Sequence, residues 1–159
     1  MHTIVAAGGG PLGPLLTLVT RTGNADDDRV AVELNHHIVH ARDPSASARL
    51  LAELLGLPAP TRFGPFTVVQ TDNRVGLDFI QTDDPKYLVP NHYAFLVSED
   101  DFDGIFGRIK ARGFTYWADP GRSEEGRINH HDGGRGVYWA DPDDHTLEII
   151  TRPYGSGAG

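Results

Sequence analysis

Two hydrophobic periods alternate along residues 30–154. Val32–Ala41 alternates like a strand. Asp43 then offers an N-cap and Pro44 a first helical residue. In the following SASARLLAELL, Leu50, Leu51, Leu54 and Leu55 fall on one helical face. Gly56 stands where a helix closes, and Pro58 blocks its resumption. Phe66–Thr71 and Arg74–Thr82 read as strands around a tight turn at Asp72-Asn73, with a shorter strand expected within Leu57–Arg62. The order then recurs. His92–Val97 is a strand, and Ser98 with Asp101 resembles a capping box. Phe102, Ile105, Phe106 and Ile109 follow at helical spacing, and Gly113 ends the helix. Phe114–Ala118, Gly136–Ala140 and His145–Thr151 supply the remaining strands.

The two halves share a register. His36 lies seven residues before Asp43, and His92 lies seven before Glu99. The closing glycine comes 20 residues after His36 and 21 after His92. Each half ends in an apolar–acidic–apolar triplet, Leu77-Asp78-Phe79 or Leu147-Glu148-Ile149. The His-to-acid distances are 42 and 56, and the loop Gly121–Arg135 can hold most of the difference. The pattern predicts an α+β protein of two tandem βαβββ modules, about 30–84 and 90–154. They would form a curved mixed sheet around a cleft, with the helices outside.

Strand alternation sorts the side chains. His37, Val39 and Ala41 share one face, and His36, Ile38 and His40 the other. Tyr93, Phe95 and Val97 pack on the helix, leaving His92, Ala94 and Leu96 for the cleft. Leu147 and Ile149 pack, while Glu148, Ile150 and Arg152 face inward. One histidine from each half and at least one carboxylate are thus directed to the cleft.

Composition narrows the chemistry. The chain has 159 residues, 39% of them hydrophobic and 23% charged, as in ordinary soluble domains. Its net charge of −8 argues against nucleic acid or an anionic membrane as partner. With no cysteine, disulfides, thiolate metal sites and cysteine nucleophiles are excluded, and a reducing, cytoplasmic setting fits. Residues 1–29 break any period with Gly8–Gly10, Pro11 and Pro14. Leu12–Val19 is too short to span a membrane, and no basic n-region precedes it. These residues are expected to be a disordered or poorly packed extension, with an over-early start codon as its source. Residues 155–159 are expected to form a flexible tail.

The segments LNHHIVHARDPSASARLLAELLGLP, NHYAFLVSEDDFDGIFGRIKARG and GRGVYWADPDDHTLEIIT resemble the vicinal oxygen chelate superfamily. That group includes glyoxalase I, extradiol dioxygenases, fosfomycin-resistance thiol transferases and bleomycin-resistance proteins. The resemblance covers about 30–154. It implies metal ligands at His36, His92 and Glu148, one divalent ion (Fe, Mn, Ni or Zn), and a homodimer acting on a small molecule. Two departures stand out. Asp144 replaces the usual glycine of the turn Asp141–His145, and aspartate tolerates left-handed backbone. Asp78 is the candidate fourth ligand where glyoxalase I-like members have a longer glutamate.

Two imidazoles and a carboxylate leave coordination positions open for a chelating substrate. Such a metal stabilises an enolate or alkoxide as it forms. The expected function is therefore a metal-dependent lyase, isomerase or ring-cleaving dioxygenase. The rival is a bleomycin-resistance-like binding protein without catalysis, which would lack metal ligands. A fosfomycin-type thiol transferase ranks third, because Ile38 stands where that group places threonine. His40, His130 and Tyr138 are the candidate catalytic groups, although each also suits a cleft wall or solvated loop. Arg135 and Arg152 are candidate substrate anchors, with ordinary ion pairing as the plainer reading. His37 is a ligand only if the register slips by one residue.

Overall fold

The computed structural model describes residues 32–157, so the expected N-terminal extension lies outside the described residues. Strand β1 (His36–Ala41) begins four residues later than its alternation suggests. Helix α1 (Pro44–Leu55) starts at the expected cap, where the Asp43 carboxylate accepts from the Ala46 amide at 2.9 Å. Gly56, at φ 77°, closes it. Strands β2 (Thr61–Phe63), β3 (Phe66–Gln70) and β4 (Gly76–Gln81) complete the first module. The second runs through β5 (His92–Leu96), α2 (Glu99–Ala111), β6 (Tyr116–Trp117), β7 (Gly136–Ala140) and β8 (Thr146–Ile150). A single 3-10 turn, His131–Gly133, interrupts the polar loop before β7. At the start of α2 the Ser98 hydroxyl accepts from the Asp101 amide, as the capping pattern predicts.

The duplication is visible in strand order. The sheets run β1-β4-β3-β2 and β5-β8-β7-β6. In each, the first strand pairs in parallel with the last, and the other pairings are antiparallel. Ile38 stands opposite Asp78 and Ala94 opposite Glu148, while His36 faces Gly76 and His92 faces Thr146. Asp78 and Glu148 therefore occupy one structural position, as do His36 and His92.

The strands form two four-stranded sheets, and none of the pairings joins one sheet to the other. What unites the modules is a shared core. Val39, Ala41, Leu77 and Phe79 meet α1 through Leu51 and Leu54, and the same apolar cluster takes in Phe102, Ile105, Ile109, Trp139, Leu147 and Ile149. Truncating one of these large side chains to alanine costs about 2–5 kcal/mol. The faces bearing His36 and His92 point the opposite way, by strand alternation.

The turn Asp141–His145 clasps the modules. Asp143 is buried and accepts from the Arg42 guanidinium at 2.9 Å and from its amide at 3.3 Å. Asp144 adopts φ 65°, the left-handed backbone that aspartate is expected to tolerate in this turn. Across the seam, Arg108 donates to the Leu54 carbonyl at 2.7 Å, one of the last groups of α1 that the helix itself leaves unsatisfied. Among the described residues, no helix is long and apolar enough to cross a membrane.

Candidate metal centre

Glu148 is 0% exposed and sits on β8, an interior strand of the second sheet, between Ala94 of β5 and Tyr138 of β7. A buried carboxylate must be compensated, and two groups do so. His92 Nε2 lies 3.0 Å from Oε2, while the Tyr154 hydroxyl donates to Oε1 at 2.5 Å. Tyr138 and Tyr154 hydroxyls are 2.6 Å apart. Because the single proton of Tyr154 is committed to Glu148, that contact runs from Tyr138 to Tyr154. Burial first, then these hydrogen bonds, hold the Tyr138 phenol well above its ordinary pKa. Burial and the Glu148 carboxylate raise that of Tyr154. Both are hydrogen donors at neutral pH.

The first module carries the matching half. His36 is exposed, with Nδ1 2.9 Å from the Asn35 amide oxygen. A methyl group built on Gly76 would lie 2.9 Å from Asp78 Oδ1 and 3.4 Å from His36 Cβ, so those two side chains flank the same gap. Among the described residues, no three potential ligands gather within one chain. His92 and Glu148 are brought together, and His36 and Asp78 share a second face. Each site histidine shares its strand face with an apolar side chain open to solvent: Ile38, two residues after His36, is 41% exposed, and Leu96, four after His92, is 61% exposed.

The donor set fits a divalent ion. Ligands about 2.1 Å from a metal and at right angles to each other are about 3 Å apart. The 3.0 Å between His92 Nε2 and Glu148 Oε2 matches that edge.

The model of the Glyoxalase/Bleomycin resistance protein/Dioxygenase superfamily matches residues 33–149, which include both half-sites. The chain belongs to this superfamily. A solved structure named Oxidase ChaP-H1 is 64% identical, covers 79% of this chain and 99% of its own, and superposes with TM-score 0.76. The curated relative Glutathione transferase FosA of Serratia marcescens is 32% identical over 123 residues, or 73% of this chain and 78% of FosA. The fosfomycin resistance protein FosX of Listeria monocytogenes, solved with Mn(II) and sulfate, is 19% identical with TM-score 0.58. It covers 78% of this chain and 93% of its own, and shows the shared superfamily fold. Enzymes are thus prominent among these superfamily neighbours.

The remaining candidates are dispersed. His40 stacks on Tyr87, ring centres 5.5 Å apart, at the far end of β1 from His36. His130 is exposed, its Nδ1 3.2 Å from the Gly134 carbonyl within its own loop. Tyr138 is the one candidate catalytic side chain placed at Glu148. The Arg135 guanidinium is drawn away to α2: Nε and Nη1 bond Glu99 and Asp103 at 2.6 Å, and Nη2 bonds the Glu99 carbonyl at 2.7 Å. It also lies 4.3 Å over the Phe102 ring. Its commitment to helix-terminal acids explains why the expected substrate anchor is engaged elsewhere. Arg152 lies exposed beyond β8, its charge acting on Glu99. His37 meets Tyr93 edge-on at 5.5 Å, at the seam rather than the site.

Tyr154 escaped the sequence reading. It follows Pro153 beyond the last periodic strand, so no alternation pointed to it. The segment around it, expected as flexible from residue 155, is tied down through Gly157. Gly155 and Gly157 amides each donate to the Asp132 carboxylate at 3.0 Å.

Proposed function

We propose that this protein is a cytoplasmic, metal-dependent oxidase that works as a homodimer on a small oxygenated molecule. The observation that carries the oxidase reading is the 64% identity to Oxidase ChaP-H1 across 99% of that chain. The ion would be held by His92 and Glu148 of one copy and His36 of a second. Asp78 stands close enough to His36 to be a fourth, outer or direct, partner. Two half-sites on separate faces favour this shared arrangement, as do the exposed Ile38 and Leu96 on the same strand faces as His36 and His92. Closed two-fold assembly would bring two such pairs of faces together.

When bound, the ion supplies positive charge for developing oxyanions and, if it is iron(II), one-electron chemistry toward dioxygen. The chain supplies the rest. Ile38 and Leu96 would wall the cup and exclude water. Tyr138 and Tyr154 hold their protons beside Glu148 and keep the carboxylate oriented. His40, four residues along the same face from His36, would line the rim.

The 32% identity to FosA favours a second reading, thiol transfer. Ile38, which presents no hydroxyl beside His36, weighs against it.

A mixing experiment tests the shared site. His36→Ala and Glu148→Ala variants should each be metal-poor and inactive. Unfolded and reassembled together at equal amounts, they should recover about a quarter of the wild-type metal and activity, since half the dimers would carry one intact site of two. No recovery from variants that remain folded dimers would place all ligands in one chain. Wild-type protein that takes up no Fe, Mn, Ni or Zn would overturn the metal reading itself. Consumption of dioxygen against thiol conjugation then separates the two reactions.

A further inference from the structure

The end of the described chain does something that the shared metal site does not require. After β8 the backbone turns at Pro153, with the Ser156 amide donating to the Pro153 carbonyl at 3.1 Å. Asp132 then takes hold of it. Its two carboxylate oxygens accept separately from the Gly155 and Gly157 amides. Gly157 comes so near that a methyl group there would lie 2.7 Å from Asp132 Oδ1 and 3.0 Å from its Cα. Asp132 itself is in left-handed backbone, φ 54°, in the turn before β7. Between these anchors Tyr154 lies across the second sheet, with its hydroxyl on Glu148 Oε1 and its oxygen receiving the Tyr138 proton.

We propose that Pro153–Gly157 is a strap, fastened by Asp132, that makes Tyr154 a positioning residue for Glu148. Glu148 has two oxygens and no solvent to orient them. The phenol fixes Oε1, so Oε2 is the oxygen presented beside His92 Nε2. Tyr138, anchored in the buried row of β7, backs the phenol and keeps its proton pointed at the carboxylate. Hydrogen bonds to a ligating carboxylate set its orientation and basicity. The strap would therefore tune the affinity of the centre without contributing a ligand. The effect on metal rests on the centre proposed above; the orientation of Glu148 does not.

The test uses the full-length protein in two states. In the metal-free state, the ring-nitrogen NMR signals of His92 read its contact with Glu148 without turnover. Tyr154→Phe keeps the ring and removes only the hydroxyl. It should shift the His92 signals toward those of a solvent-exposed imidazole, while buried His145 stays in place. Asp132→Ala should shift His92 in the same direction by releasing the strap. With Mn(II) as the probe, both variants should bind about tenfold more weakly or worse. His92 signals unchanged in Tyr154→Phe would overturn the proposal. A shift in Tyr154→Phe alone would overturn the strap, because Tyr154 would then hold its place without Asp132. Mn(II) affinity at the wild-type level in both variants would overturn the tuning of the centre. If wild-type protein binds none of Mn(II), Fe(II), Ni(II) and Zn(II), the metal centre falls, and the His92 comparison still decides whether Tyr154 orients Glu148.

Discussion

His145 and His40 join the two modules: the imidazole Nε2 of the first donates to the backbone carbonyl of the second at 3.1 Å. The other ring nitrogen accepts from the Asn91 amide at 3.0 Å, which fixes the neutral tautomer protonated at Nε2. One buried ring thus spans from the first strand of module one to the residue before His92.

Replacing that ring should loosen the seam. His145→Ala removes two hydrogen bonds and leaves a cavity beside Tyr93, so a loss of about 2–4 kcal/mol is expected. Urea unfolding monitored by tryptophan fluorescence measures it. A loss below about 0.5 kcal/mol would show that the seam does not depend on this histidine.

Gly76 keeps the gap between His36 and Asp78 open. Its counterpart in the second module is Thr146, so Gly76→Thr writes one module's residue into the other. The added Cβ would meet Asp78 Oδ1 at 2.9 Å and the His36 Cβ at 3.4 Å. The expected result is a folded protein with metal affinity weakened about tenfold or more, comparable to losing a ligand's orienting contact. Calorimetric titration with Mn(II) checks it, and unaltered affinity would remove both His36 and Asp78 from the centre.

Tyr93 carries a buried hydroxyl with no hydrogen-bond partner among the described residues. Burial, then the charge of Asp141, pushes its phenol up to about 12 from an ordinary 10.0. The unfolded chain therefore gives up this proton first, and folding stability falls as pH rises from about 10 to 12. Tyr93→Phe should be neutral or stabilising by up to about 1 kcal/mol at pH 7. It should also lack this part of the alkaline decline. Denaturation midpoints at pH 7, 9.5 and 11 would expose the difference. Parallel decline of the two proteins above pH 10 would contradict it.

Arg135 should behave as a structural rather than a substrate-binding cation. Arg135→Ala breaks its contacts to Glu99 and Asp103 and uncovers Phe102. The expected outcome is a modest, salt-sensitive drop in melting temperature with metal affinity and KM little changed. A large rise in KM at unchanged stability would return Arg135 to the site.

Much of this architecture was written in local pattern. The Asp43-Pro44 start, the Gly56 stop and the His36 and His92 registers each depend on residues within a few positions of one another. They survive folding because capping and strand alternation are local physics. The His92–Glu148 pairing was legible for the same reason, through the repeated triplet and the family resemblance. The seam was not. Whether His36 meets His92 within one chain depends on how two whole modules pack, and alternation says only which face each occupies. Arg135 belonged to a polar loop without period, so nothing forecast its capture by α2. Tyr154 lay past the last strand, where its role depends on Asp132, 22 residues earlier.

Strand β8 bears the seam at His145, just before its first residue, and the acid of the site at Glu148. Sliding it by one position would send Glu148 into the apolar core and bring Leu147 out in its place. The turn Asp141–His145 sets that register, so it should tolerate neither an added nor a missing residue. The exposed loop at 121–127 reaches back to that turn, where Arg122 bonds Asp144 at 2.7 Å. The place of the acid beside His92 therefore hangs on the stride at which β8 leaves its turn.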